Sequence, residues 1–353
     1  MQKNNIIKHA QSGLSLIEVM IALALGLLLI IGAGQIYLGS KMSYRVNEGL
    51  AHIQEAGRFA SETLARNIRM AGFQGCMGLD RLKPNILATG ISAAAAFHND
   101  GIVTGVNNVA SGTKAGSIAV RPGTDMLTVR YASPVAAKLS SDLVSADAAL
   151  VLTANPAEIK VDDAVFITDC VNADLFRVTG DASGATNPLI LRHDDSGNTS
   201  SSLSKAYRRD ALVMPLESKT YFIGETGDTN QQGQPIYALY ERSLKAGVEM
   251  SEQLLEGVEN MQIQFGRDQN GDGEVDDYVT AAALSSSNFD RIIAVRVALL
   301  LSSVEAVLDH ADTATYTLLD ETIDPADTRQ LRRSVTFTTS IRNRELRSAS
   351  FGS

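Results

Sequence analysis

From Leu14 to Gly34 the chain runs for twenty-one residues, LSLIEVMIALALGLLLIIGAG, with one charge, Glu18. As a helix rising 1.5 Å per residue this run is about 31 Å long, the thickness of a bilayer's hydrocarbon core. A secretory signal would carry a shorter apolar stretch followed by small residues at a cleavage site, and the GAGQIYLG that begins at Gly32 fits that pattern poorly. Lys3 and Lys8 precede the run and the next charge is Lys41. This asymmetry favours a cytoplasmic N-terminus with the bulk of the chain across the membrane. Glu18 is the anomaly. A charge in a membrane helix costs about 2.5–3.5 kcal/mol at the centre, less near an edge, and marks a function that needs a partner. The run itself contains no cation, so the partner comes from outside this helix or is made by processing.

The helical pattern continues past the run. No proline occurs from Tyr37 to Ala71. Apolar or small residues recur at Leu50, Ile53, Ala56, Ala60, Leu64, Ile68 and Ala71, with Glu48, Glu55, Arg58, Glu62, Arg66 and Arg69 between them. That spacing predicts one face laid on a globular domain, with Gly72 as the stop. A continuous helix from Leu14 to Ala71 would be about 87 Å long. Two helices broken near Gly32, Gly34 or Gly39 are the alternative.

Beyond Gly72 the period shifts to two. DMLTVRY (Asp125–Tyr131), ENMQIQFG (Glu259–Gly266), IAVRVALLLS (Ile293–Ser302) and RSVTFTTSI (Arg333–Ile341) alternate as strands do. The Gly/Ser/Asn-rich stretches Asn99–Gly116 and Asp181–Ser204 read as long loops. The expected class is α+β, with a long N-terminal helix packed on a largely antiparallel β-sheet domain. The organisation expected is a leader (1–13), a membrane segment (14–34), an amphipathic helix (35–72) and a β-rich domain (73–353). Hydrophobic residues are 44% of the chain, enough for a packed core, and the net charge of -9 argues against nucleic acid as a partner.

The two cysteines are Cys76, just past the helix, and Cys170. In an exported domain they meet an oxidising compartment, where one disulfide would tether the end of the helix to the sheet. Two buried free thiols are the alternative. In DQNGDGEVDDY, Asp268, Asn270 and Asp272 fall at positions 1, 3 and 5 of a calcium-type loop, Gly273 at the turning position, Glu274 at 7 and Asp276 at 9. Position 12 is Val279, so the bidentate glutamate of an EF-hand is missing. The oxygen set suits Ca²⁺; a polar turn shaped by Asp, Asn and Gly is the other reading. His193-Asp194-Asp195 reads as a solvated loop. The arginines at 329, 332, 333, 342, 344 and 347 read as a solvated face or as one that pairs with an acidic partner subunit. No G-x-S-x-G, Walker loop or G-x-G-x-x-G occurs, so no enzyme is expected.

SGLSLIEVMIAL (Ser12–Leu23) resembles the class III signal of type IV prepilins and pseudopilins. The resemblance implies cleavage by a prepilin peptidase after Gly13 and N-methylation of Leu14, and it puts Glu18 at the conserved fifth mature position of that family. The family's usual first mature residue is phenylalanine; Leu14 departs from it. The segments Asn47–Cys76, Thr168–Thr179, Gly257–Tyr278 and Arg332–Arg344 resemble the PilW-type minor pilins, whereas Leu79–Pro122 and Asp181–Pro215 match nothing recognisable. The resemblance implies a structural subunit of a type IV pilus, in a tip or priming complex. It implies other minor pilins, the major pilin and a large tip adhesin as partners, and a single-pass inner-membrane location before assembly on the cell surface. A J-type pseudopilin of type II secretion is the competing machine. A membrane-tethered enzyme or calcium-dependent binding module is a third class, for which no convergent acid, base or nucleophile is visible.

Overall fold

The computed structural model describes residues 15–76, 78–79, 82–98, 100–180, 189–284, 289–326 and 328–344. One helix, α1 (Leu16–Met70), runs unbroken for 55 residues, about 82 Å at 1.5 Å per residue. Gly32, Gly34 and Gly39 lie inside it, and no atom stands within 4 Å of where their Cβ atoms would be. The helix is continuous as expected, and the alternative of a break at these glycines is not taken: a glycine lowers helix propensity by about 1 kcal/mol, too little to interrupt so long a cooperative helix.

The domain is built from two sheets. The larger takes β1 (Asn85–Ile86), β2 (Val103–Val106), β3 (Met126–Ala132), β4 (Ala137–Lys138), β5 (Ala164–Thr168), β6 (Ala173–Arg177), β7 (Leu212–Thr229), β8 (Pro235–Lys245) and β9 (Val248–Glu256). Its main path is β1-β6-β5-β7-β8-β9, with β3 and β4 also on β7 and β2 on β3. The smaller takes β10 (Val258–Arg267), β11 (Asp277–Val279), β12 (Ile292–Ser302) and β13 (Arg332–Ser340) in the order β11-β10-β12-β13. The pairing is antiparallel except between β1 and β6. Short ribbons at 114–119, 150–152 with 189–191, and 316–323 decorate the sheets.

All four strands anticipated from alternation exist, and they divide between the two sheets. The stretch 99–116, expected as a loop, contains β2 and half a ribbon. Its glycines mislead for a packing reason. A Cβ on Gly105 would lie 2.7 Å from Cζ of Phe265, so this glycine admits an aromatic ring from the other sheet. Part of the second stretch lies outside the described residues, and 189–191 is a strand. His193, expected in solvent, is buried with Nε2 3.0 Å from the carbonyl of Ala148 and its ring tilted on Phe176.

The second half of α1 buries Ile53, Ala56, Gly57, Ala60, Leu64, Ala65, Asn67 and Ile68 against both sheets. Small residues bring the helix close: a Cβ on Gly57 would meet Leu301 Cδ1 at 3.0 Å and Val335 Cγ2 at 3.1 Å. At its far end the helix is fixed by a buried polar chain. Tyr131 Oη donates to Asn67 Oδ1 (2.6 Å), and Asn67 Nδ2 donates to Tyr221 Oη (2.6 Å) and to the carbonyl of Thr63 (3.0 Å). Tyr221 in turn donates to Glu241, whose other oxygen meets Lys219 Nζ at 2.8 Å. Burial and the carboxylate of Glu241 push the Tyr221 phenol well above its ordinary range, so it stays a donor. Every member is satisfied, and such a network specifies one docking of helix on sheet. Asp125 joins the two sheets: its carboxylate accepts from the amides of Asn108 and Ile263, and its own amide donates to Met261.

Cys76 and Cys170 are bonded, with Cα atoms 5.3 Å apart. The bridge ties the segment just past α1 to the turn between β5 and β6. That turn is shaped by Asp169, whose carboxylate accepts from the amides of Val171 and Asn172 and meets Lys205 Nζ at 2.6 Å.

Candidate functional site

The first half of α1 stands clear of the domain, and none of its most apolar eighteen-residue window is buried. Leu16, Ile17, Met20, Leu23, Leu27, Leu28, Leu29 and Ile30 are all more than half exposed. So much apolar surface needs a lipid or protein cover. Glu18 lies exposed in the first turn. Ser15 is the N-cap, its Oγ accepting from the amide of Glu18 at 3.3 Å. Ser15-Leu16-Ile17-Glu18 has the S-x-x-E spacing of a capping box, so the glutamate also suits the positive end of the helix. This signal was legible in the sequence and adds a local reason for a carboxylate at that position. Gly13 and Leu14 lie outside the described residues.

The Asp268 loop lies between β10 and β11. Asp268 is nearly buried, and its two oxygens accept from the amides of Gly271 (2.5 Å) and Gly273 (2.9 Å). Asn270 Oδ1 accepts from the amide of Asp272, and Asp272 Oδ1 from that of Glu274. Asp276 Oδ2 accepts from the amide of Gln269 at 2.6 Å. The side-chain nitrogen of Asn270 lies 3.0 Å from Asp272 Oδ2 and 3.4 Å from Asp276 Oδ1, bridging the two carboxylates. Gly271 and Gly273 take φ of 81° and 90°, which other residues adopt at a cost. Arg267 clamps the base of the loop through Asp277, holding that carboxyl below its usual range. Among the described residues no group of three or more His, Cys, Asp or Glu side chains is gathered as a metal cluster. The oxygens of Asp268, Asn270, Asp272 and Asp276 nevertheless share one short loop. An amide donor, which is a partial positive charge, occupies the space between two of its carboxylates. These oxygens are of the type a hard cation takes, and in this structure they accept from the loop's own amides.

The C-terminal arginines divide. Arg332 is buried on Glu259, Asp312, Thr328 and Gln330, and Arg344 is buried with a bond to the carbonyl of Ile292. Arg329, Arg333 and Arg342 are exposed. Arg347 lies outside the described residues.

Residues 220–343 match the family model of the type IV pilus-assembly protein W, and residues 8–34 match the prokaryotic N-terminal methylation motif. The first match spans the end of β7 and all of β8 to β13, and stops short of the disulfide. The second spans the segment that holds Gly13, Leu14 and Glu18. No curated protein and no solved structure matches the chain. A methylation motif on an exposed apolar helix, followed by a domain whose second half matches a pilus-assembly family, supports a PilW-type minor pilin of type IV pili.

Proposed function

We propose that this subunit belongs to the small complex that primes pilus assembly and stays near the pilus tip. The observation that carries the reading is Glu18, exposed in the first turn of a 55-residue helix whose apolar half has no cover of its own. In this reading a prepilin peptidase cuts between Gly13 and Leu14, and Leu14 is then methylated. The new α-amino group, with a reference pKa near 8, is mostly protonated at neutral pH. It supplies the cation that Glu18 lacks, within one chain or from the neighbouring pilin. Inside a bundle of apolar helices an unpaired carboxylate is costly, so the pair favours insertion in a fixed register. Before assembly the chain spans the inner membrane once with its domain across it; afterwards it lies on the cell surface among other minor pilins and the major pilin.

Sequencing of the membrane-extracted protein should read from Leu14; an intact Met1, or a start near Gln35, would overturn the reading. Glu18→Ala should leave membrane insertion intact, because removing a charge eases insertion. Its recovery in sheared pili should fall at least about tenfold, since the lost pair is worth more than about 1.4 kcal/mol in a low-dielectric bundle. Recovery at the wild-type level would rule out the pairing role.

We further propose weak Ca²⁺ binding by the Asp268 loop, through Asp268, Asn270, Asp272, the carbonyl of Glu274 and Asp276. The absent position-12 glutamate points to the weak range of extracellular modules, about 10⁻⁴–10⁻³ M. A tenfold excess over Kd stabilises the folded state by about 1.4 kcal/mol. For a domain of this size the melting temperature should rise roughly 2–4 °C in millimolar Ca²⁺ relative to chelator. Asp268→Ala with Asp272→Ala should abolish the shift. Equal melting with calcium and chelator would leave the loop as a turn that holds its shape by its own side chains.

A further inference from the structure

Strand β13 has a free edge. It pairs with β12 on one side and, among the described residues, with no strand on the other. Alternate residues of an antiparallel strand turn their N–H and C=O groups outward, so this edge is a template for another strand. Exposed edges are ordinarily blunted by charge, proline or a bulge. The long edge of the larger sheet, β9, is blunted in this way, since it carries Glu249, Glu252 and Glu256. From Ser334 to Ser340 β13 reads SVTFTTS, with neither charge nor proline, and it pairs with β12 without a bulge.

A groove of about 400 Å³ runs between this edge and α1, lined by Ser61, Glu62, Arg66, Arg69, Phe337 and Thr339. Three features of it point to an occupant. The hydroxyl of Thr339 is buried there without a hydrogen-bond partner among the described residues. Arg66 and Arg69 are exposed, and no carboxylate among the described residues forms a salt bridge with either. The one acid in the lining, Glu62, is already paired with Arg58 at 3.6 Å. Arg342 adds charge at the same end, because the side chain of Asn343 donates to the carbonyls of Arg69, Met70 and Ala71. The groove is thus a positive channel on a chain whose net charge is -9.

We propose that the groove receives an extended acidic segment of a neighbouring pilus subunit, added to β13 as a further strand of the smaller sheet. Main-chain bonds to the free edge supply register and affinity, and carboxylates meeting Arg66 and Arg69 supply the choice of partner. The proposal rests on the reading that the chain assembles with other pilins, but its test needs no pilus.

The test uses the full chain in detergent micelles and two blocked ten-residue peptides, one alternating Val with Glu and one alternating Val with Lys. The glutamate peptide should bind at least about tenfold more tightly than the lysine peptide by fluorescence anisotropy, a difference that one good charge contact supplies. It should also slow amide exchange within 333–340. Arg66→Glu with Arg69→Glu should weaken binding by a similar factor while melting stays unchanged, because both side chains are exposed; Arg66→Ala with Arg69→Ala should lie between. Equal affinity for the two peptides, or protection that appears elsewhere and leaves 333–340 exchanging freely, would overturn the proposal. In cells the charge-reversed variant should lose co-purifying pilins while still starting at Leu14, so a failure here is separable from a failure of prepilin processing.

Discussion

The Cys76→Ser, Cys170→Ser variant is expected to lose about 4.5 kcal/mol of stability, because the bridge closes a loop with a sequence separation of 94. The loss acts mainly on the unfolded chain, which regains the freedom the bridge removes. For a domain approaching 300 residues this corresponds to a drop of roughly 8 °C in melting temperature. The docking of α1 should survive, since it does not depend on the bridge. The Asn67–Tyr131–Tyr221 chain holds the helix from within, and Asn343 holds its last carbonyls from outside. The folded variant should therefore keep the wild-type circular dichroism and a protected Asn67 region. Urea unfolding decides the matter: the midpoint should fall and the slope should rise, as a less constrained unfolded state exposes more surface. An unchanged midpoint would mean that the bridge adds nothing to the packing around it.

How much of this was legible in the sequence varies with what each residue faces. The helix was, because α1 alternates its burial with a 3.6 period and meets no proline over 55 residues. Strands β3, β10, β12 and β13 were, because each shows alternating apolar positions. Strands β5 and β6 are buried on nearly every residue, and a short apolar run of that kind carries no period. Strand β7 is interrupted in sequence by Pro215, Gly224 and Gly227, which read as punctuation. Yet a Cβ on Gly224 would lie 2.7 Å from Ile118 Cγ2, so that glycine is there for a close crossing and marks no chain reversal.

Polar sites divide in the same manner. Glu18 was visible because a charge stands alone in an apolar run, and the capping-box spacing around it was there to be read. The Asp268 loop was visible as a cluster of short-range oxygens, and its local hydrogen bonds follow from residues two to seven positions apart. Long-range pairing was not visible. The Asn67 network joins residues 64 and 154 positions apart, and no local pattern announces it. The arginine cluster looked uniform in sequence, whereas the structure buries Arg332 and Arg344 and leaves Arg333 and Arg342 outside.

Arg332→Met is expected to cost about 3–5 kcal/mol, the usual penalty for breaking a buried pair from one side. Its side chain is only 2% exposed. Its Nε lies 3.1 and 3.2 Å from the two oxygens of Glu259, and its Nη1 3.3 Å from Asp312 Oδ2. The remaining bonds go to Thr328 and Gln330. Methionine fills much the same volume but leaves Glu259 with one flanking cation, Arg121 at 3.9 Å, and Asp312 with none in this cluster. Adding Glu259→Gln should recover part of the loss, because a neutral amide is cheaper to bury than an orphaned carboxylate. The pH response separates lost charge from lost packing. Burial alone would raise the Asp312 carboxyl, but bonds from Tyr316, Ala314 and Arg332 hold it below its ordinary value. A group held low in this way contributes stability above its unfolded pKa, and that contribution disappears as pH falls through the folded value. In Arg332→Met the acid-side loss should therefore be shallower than in the wild type as pH falls below the ordinary aspartate value of about 4. A loss in stability with an unaltered acid limb would assign the role of Arg332 to packing alone. A loss below about 1 kcal/mol would show that water reaches the two carboxylates once the guanidinium is gone.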